Sequence, residues 1–338
     1  MADKHSLSEP TTPPTDYAPT AALPVNDMTP QSETGAQAYG IASDETQRTA
    51  PPLRGTRKLT IYRRRFMRNK MAVVGLIIFA LLVMLALTGQ IISPWAFDEP
   101  DFLNLSTAPS TEHWFGTTDS GHDLFTQASH GLGRSLTIAI PVSLLISVLS
   151  ALIGAGAALY GGWMEKTVLA VIHFMLAVPT FLMIALLVSG SGGDWKVLTV
   201  VLVLFGWMYP ARVIWSLSLS VRENDYVRAA HFMGVSRSRT LIRHILPNIA
   251  SLLIIQFMMG LVATIMSETA LSFLGLGVKL PDVSLGTLLQ VGTSTLGTAP
   301  WQFYVPAAIL TLLTISMAFI ADGLRDALDP NSNSGGKA

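Results

Sequence analysis

Six apolar stretches recur along residues 71–321, each close to the ~20 residues that a helix needs to cross about 30 Å of hydrocarbon. They are Met71–Ile92, Ser135–Tyr160, Thr167–Val188, Val197–Ser220, Ile249–Ser267 and Tyr304–Ala321. The pattern predicts an all-α integral membrane protein with six transmembrane helices. Residues 1–53 break from it: they are rich in Pro, Thr, Ser, Ala and acids and poor in large aliphatics. Such a segment buries too little apolar surface to offset its ordering entropy, so it reads as a disordered tail. It also lacks the basic start and apolar core of a secretory signal. The plan is then a tail at 1–53, a basic juxtamembrane segment at 54–70, a six-helix domain at 71–330 and a short disordered C-terminus at 331–338.

The polar connections orient the spans. Residues 54–70, RGTRKLTIYRRRFMRNK, hold eight basic residues and no acid, whereas Ser93–Gly133 holds six acids and no Lys or Arg. Five arginines lie in Val221–Pro247, and Lys279 is the one basic residue of Glu268–Phe303. Because basic residues stay on the cytoplasmic side, the alternation predicts a multi-pass protein with both termini in the cytoplasm. The first basic run then sets topology and touches anionic lipid. A net charge of zero hides this polarisation, and the charged fraction of 13% is about half that of soluble domains. With no cysteine in the chain, disulfides, thiolate metal sites and cysteine nucleophiles are excluded.

One polar connection is long enough to fold. YVRAAHFMGVSRSRTLIRHILPN, residues 226–248, follows Glu223, Asn224 and Asp225, which suit a helix N-terminus. Tyr226–Met233 reads as a helix, Gly234 as its left-handed closure, Ser236 as a second N-cap, and Arg237–Leu246 as a second helix. Leu241, Ile242, Ile245 and Leu246 form its apolar stripe, and Pro247 ends or bends it. The small pair Ala229–Ala230 offers close approach to another surface. A DNA-reading helix pair is excluded because spans tether both ends. An amphipathic hairpin on lipid and a docking element for a cytoplasmic protein both remain open on this evidence.

The same residues resemble the cytoplasmic signature of permease subunits in binding-protein-dependent ABC importers. Ala229–Ala230, Gly234 and Leu246–Pro247 fall at that family's spacing, with Arg228 in place of its Glu and His244 in place of its Ile. HWFGTTDSGHDLFTQASHG (113–131), SETALSFLGLG (267–277) and ADGLRDALDP (321–330) resemble further motifs of the dipeptide, oligopeptide and nickel branch, C-type permeases above all. The likeness covers roughly residues 55–330. It implies a type I importer permease fold with a coupling loop at 222–247, where Tyr226, Arg228, Ala229, Ala230, Gly234, Leu246 and Pro247 meet an ATPase. It also implies a second, related permease as heterodimer partner, two cytoplasmic ATPases, an extracytoplasmic binding protein, and a bacterial inner-membrane location. The expected cargo is a di- or oligopeptide, with nickel or another small solute as the alternative. ATP would bind to the partner ATPases, and no cofactor is expected here; the chain has no G-x-x-x-x-G-K-[ST] run to cradle phosphates.

Other polar residues are weighed singly. Arg212 lies in the fourth span, near enough its inner end to reach the interface, yet a charge there is also a functional candidate. His173 is mid-span in the third helix and reads as a satisfied interior histidine, with a substrate-contacting or pH-sensing role as the alternative. Glu268 is expected at the outer end of the fifth span as a cap or salt-bridge partner, with an intramembrane functional role such as proton transfer as the alternative. His113, His122 and His130 share the outer loop at spacings that fit no compact metal motif, so that loop reads as a folded receiver for the binding protein. No catalytic constellation such as G-x-S-x-G or H-E-x-x-H is present, which disfavours a membrane enzyme. A channel or secondary transporter with a lipid-bound hairpin is the rival of another class; the chain lacks the paired broken helices and acidic relay expected there. Nucleic acid is not an expected partner.

Overall fold

The first long helix is set by an asparagine. In the computed structural model, which describes residues 58–328, α1 (Lys58–Arg68) ends at Asn69, whose side chain accepts from the Ala72 N–H and caps α2 (Lys70–Ile92). The Asn69 amide also donates to Asp326 at 2.9 Å, tying this start to the far end of the chain. The tail at 1–53, the beginning of the juxtamembrane segment and the C-terminus at 331–338 lie outside the described residues.

After α2 come α3 (Leu124–Tyr160), α4 (Gly162–Ala177), α5 (Thr180–Ser189), α6 (Trp195–Gly206) and α7 (Met208–Arg222). Short pieces follow: α8 (Asp225–Phe232), α9 (Arg237–Thr240), a π turn at Leu241–Ile245 and α10 (Leu246–Asn248). The chain closes with α11 (Ala250–Phe273), α12 (Leu285–Ser294) and α13 (Trp301–Leu328). Among the described residues the extended structure amounts to two isolated bridges, Pro100 with His122 and Thr117 with Asp123.

Five helical stretches are long and apolar enough to cross a membrane: α2, α3, α6 with α7, α11 and α13. The sixth span differs from the single rod expected at Thr167–Val188. It is the pair α4 and α5, bent by 77°. Val178 precedes Pro179, which steers it out of the helical region, and its φ of −85° and ψ of 137° are extended. The fourth span also breaks, at Trp207, whose carbonyl accepts the Ser150 hydroxyl of α3 at 2.9 Å.

The second span is longer than its apolar stretch. Asp123 caps α3 through the Thr126 N–H, so the helix starts at Leu124, eleven residues ahead of the expected start at Ser135. At 1.5 Å per residue, its 37 residues make a rod of about 55 Å, well beyond the hydrocarbon thickness. Around it the core is assembled: Leu132, Leu136 and Ala139 of α3 pack with Leu82 of α2, Leu261 and Ile265 of α11, Leu288 of α12, and Leu313 and Met317 of α13. On its other side Gly154 lets α7 close in; a Cβ there would stand 2.3 Å from the Ala211 carbonyl. That close approach matches the small-residue face formed by Gly154–Ala157.

The acid-rich connection 93–123 folds at one end of the bundle. His113 is buried between Asp123, 3.0 Å from Nδ1, and Asp101, 3.6 Å from Nε2, with Trp95 stacked on its ring. Gln302 of α13 donates to the Thr117 carbonyl at 2.9 Å and fastens the loop. The Asp101 carboxyl is held below its ordinary value of 3.8, first by the Asn104 side-chain amide and then by the Leu103 N–H, with His113 adding to both. A carboxyl depressed in this way contributes stability that is present above its unfolded value and is lost as the pH falls through its folded value. Asn104→Ala should therefore move the Asp101 titration back toward 3.8 and start the acid loosening of this loop at higher pH. Carboxyl chemical shifts and limited proteolysis between about pH 2 and 5 check this; an unmoved titration would refute it.

Candidate functional site

At the opposite end, basic side chains gather where α3 and α7 finish. Arg222 donates through Nη1 to the Ala158 carbonyl at 2.7 Å, and Arg237 donates through Nη1 to the Tyr160 carbonyl at 3.0 Å. Both arginines therefore satisfy carbonyls left open at the end of α3, where cations also complement the helix dipole. Arg237 in addition lies 5.5 Å over the Tyr160 ring. Arg237, though exposed, thus caps a helix.

Between these arginines runs α8. Asp225 stands in its first turn, and the N–H groups of Val227 and Arg228 both return to the Asn224 carbonyl. At its far end Gly234 takes a φ of +75°, and the Val235 N–H bonds the Ala230 carbonyl at 3.0 Å. A Cβ on Gly234 would meet nothing within 4 Å, so backbone conformation alone asks for glycine here. Tyr226 closes the hairpin: its hydroxyl accepts from the Asn248 amide at 2.5 Å. Ser236 sits at the expected N-cap position of α9 but makes no side-chain cap bond.

The second arm is not one regular helix. Pro247 has no N–H to give, and the Leu246 N–H before it reaches back to the Leu241 carbonyl in an i to i+5 bond. That π turn sends Leu241, Ile245 and Ile249 inward against Ala151 and Ala155 of α3 and Ile214 and Val221 of α7. Leu246 packs beside them, Pro247 is exposed, and Ile242 stands out of the expected apolar stripe at 65% exposure.

Of the expected pair of small residues, one faces in and one faces out. Val227 and Ala230 are buried, whereas Tyr226, Arg228, Ala229, Phe232 and Met233 are exposed. Successive helical residues turn by about 100°, so two neighbours cannot both face a partner squarely. The result is a short helix with Val227 and Ala230 turned inward and an outer face that is an aromatic, apolar and basic knob.

The remaining candidates lie elsewhere. Because α11 continues to Phe273, Glu268 is inside the bundle rather than at its edge, and it is fully buried. It is neither cap nor ion-pair partner. It accepts the Ser135 hydroxyl of α3 at 2.9 Å and the Ser272 hydroxyl at 2.8 Å. Ser272 in turn accepts the Val278 N–H, so the carboxyl joins α3, α11 and the segment leading to α12. His173 is exposed on α4 rather than satisfied in the interior, and Arg212 is exposed on α7 beside Tyr209, also exposed. The Trp215 indole donates to Glu165 at 2.8 Å and ties α7 to α4.

Three groupings were not anticipated. Asn248 holds Tyr226. Ser135 meets Glu268. Asp282 takes both His130, 2.9 Å away, and Arg134, 2.7 Å away, while Arg134 lies 4.7 Å over Trp195. Each joins residues more than twenty positions apart, and no local spacing announces it.

Comparison with known proteins places this geometry. Residues 147–333, which include α8 and both flanking spans, match the family described as the binding-protein-dependent transport system inner membrane component. Residues 60–109 match the N-terminal transmembrane domain of oligopeptide transport permease C. The chain is 40% identical over 277 residues to the oligopeptide transport system permease protein OppC of Mycobacterium tuberculosis, covering 81% of this chain and 95% of that protein. It is 32% identical over 266 residues to OppC of Bacillus subtilis, covering 79% and 87%. Together with its apolar helices, these matches make the chain a multi-pass inner-membrane protein that belongs to the family of binding-protein-dependent transport system inner membrane components.

Proposed function

We propose that this chain is one permease half of an ATP-driven importer of di- or oligopeptides, and that α8 is the element through which a cytoplasmic ATPase moves it. Membership of the family implies a substrate-binding protein and an ATPase as partners. The observation that carries the coupling reading is the two-faced hairpin: Val227 and Ala230 are buried and Leu241 and Ile245 pack against the bundle, while Arg228 and Ala229 are exposed. A force on α8 can therefore pass through α9 to the π turn, whose Leu241 and Ile245 pack against α3 and α7. A hairpin lying on lipid would gain little from a second arm packed into the bundle.

The termini and α8 face the cytoplasm, as the distribution of Lys and Arg supports. A second, related permease covers the face of α7 that carries Tyr209 and Arg212. An arginine exposed to hydrocarbon is expensive, so this face calls for a protein or aqueous neighbour. The peptide cargo is supported by relatives named for oligopeptide transport.

Reconstitution tests the reading. The permease pair, the ATPases and the binding protein in proteoliposomes should take up labelled di- or oligopeptide only with ATP. Unlabelled peptide should compete and nickel should not. Uptake without ATP, or competition by nickel alone, would overturn it.

A further inference from the structure

A cavity of about 220 Å³ opens between α8 and the ends of α3 and α7. Three guanidinium groups line it, those of Arg222, Arg228 and Arg237, together with Val227, Phe232 and a single carboxylate, Glu223. Glu223 is already engaged, 3.1 Å from both Nε and Nη2 of Arg222. Arg222 and Arg237 are fixed by the Ala158 and Tyr160 carbonyls. Arg228 reaches in from α8, is exposed, and takes part in none of the ion pairs among the described residues.

The pocket thus carries an excess of two positive charges, now screened by water. Whatever docks on α8 removes that water. Covered guanidinium groups without a counter-ion are strongly unfavourable, because burial raises the cost of an unpaired charge. Val227 and Phe232 give the pocket an apolar side, which suits the methylene stem of an acidic side chain better than a fully hydrated ion. Planar guanidinium groups also match a carboxylate two bonds at a time.

We propose that this pocket receives an aspartate or glutamate carboxylate from the ATPase subunit, with Arg228 as the arginine that closes on it. The proposal rests on the reading that α8 docks an ATPase, and it adds the chemistry of the contact.

The test measures ATPase binding to the purified, delipidated permease pair in detergent, at low and at high salt. Arg228→Ala should weaken binding about tenfold and Arg228→Glu about a hundredfold at low salt, both with a flatter salt dependence. Arg228→Lys should stay within about threefold, and Arg239→Ala, a nearby exposed arginine outside the pocket, within about twofold. The side chain of Arg228 supports nothing internal, so each variant should remain monodisperse with unchanged melting. Wild-type binding by Arg228→Ala and Arg228→Glu would overturn the proposal. So would an Arg228 effect that is absent in lipid-free detergent and appears only in anionic-lipid nanodiscs, since the anion would then be a lipid phosphate. Ala229→Trp separates the two levels. If it abolishes binding while the Arg228 variants bind normally, only the pocket fails; if it too binds normally, the docking reading itself fails.

Discussion

Ala229→Trp should abolish ATP-driven uptake while leaving the permease folded. Ala229 lies exposed on the outer face of α8, between Arg228 and the inward-facing Ala230. An indole there adds on the order of 150–250 Å² of surface at the centre of the proposed contact and displaces the partner from the knob formed by Tyr226, Phe232 and Met233. A loss of at least ~2.7 kcal/mol of docking energy is a hundredfold in affinity, enough to uncouple transport at ordinary concentrations. The expected record is ATPase that no longer co-purifies, uptake at background, and an unchanged unfolding temperature. Ala229→Ser should behave as wild type. The contrast is Ala230→Trp: Ala230 is 2% exposed, so overpacking there disturbs the hairpin itself, and lost uptake would come with lost stability. If Ala229→Trp transports normally, α8 is not the coupling element.

This pair of alanines shows what could and could not be read from the chain. Their spacing to Gly234 and Pro247 singled out the hairpin as the candidate site, because a family resemblance preserves positions along the sequence. It could not say which alanine faces out, since that depends on how α8 is rotated against α3 and α7, and contacts such as Tyr226 with Asn248 fix the rotation. Hydropathy found α2, whose apolar run is nearly as long as the helix, and the central parts of α11 and α13. It missed the first three turns of α3, where Gln127 bonds Phe97 of the connection 93–123 and His130 and Arg134 pair with Asp282 before α12. It also missed the 77° bend between α4 and α5, for an apolar average carries no direction; Pro179 was the available signal. The capping bond of Arg237 was not legible because its partner, the Tyr160 carbonyl, is 77 residues away. The errors thus share a cause: long-range pairing decides the facing of residues that local pattern only enumerates.

Glu268 is the clearest such case, and its removal should produce the largest loss of stability. The carboxyl binds two hydroxyl groups from different elements, Ser135 of α3 and Ser272 of α11. Ser272 passes the connection to the Val278 N–H, and Ser135 lies 3.5 Å from the Leu285 N–H at the start of α12. One side chain therefore sets where the segment 274–284 returns across the bundle. Glu268→Ala removes both acceptors at once in a site without water access, and leaves a void. Each buried group left unsatisfied costs about 1–3 kcal/mol, and the void adds to that, so a total of about 2–4 kcal/mol is expected. Glu268→Gln should cost under about 1.5 kcal/mol, because an amide keeps one acceptor and a serine hydroxyl can rotate to receive its N–H. Ser135→Ala should fall between them, and its effect should not add to that of Glu268→Ala, since both remove the same bond. Unfolding of the purified permease in detergent, followed by heat or denaturant, measures all four. Were Glu268→Ala as stable as the wild type, or Glu268→Gln as damaging as Glu268→Ala, this network would not hold the end of the bundle. The first result would mean that packing alone suffices; the second, that the group's charge rather than its hydrogen bonding is what α3 and α11 require.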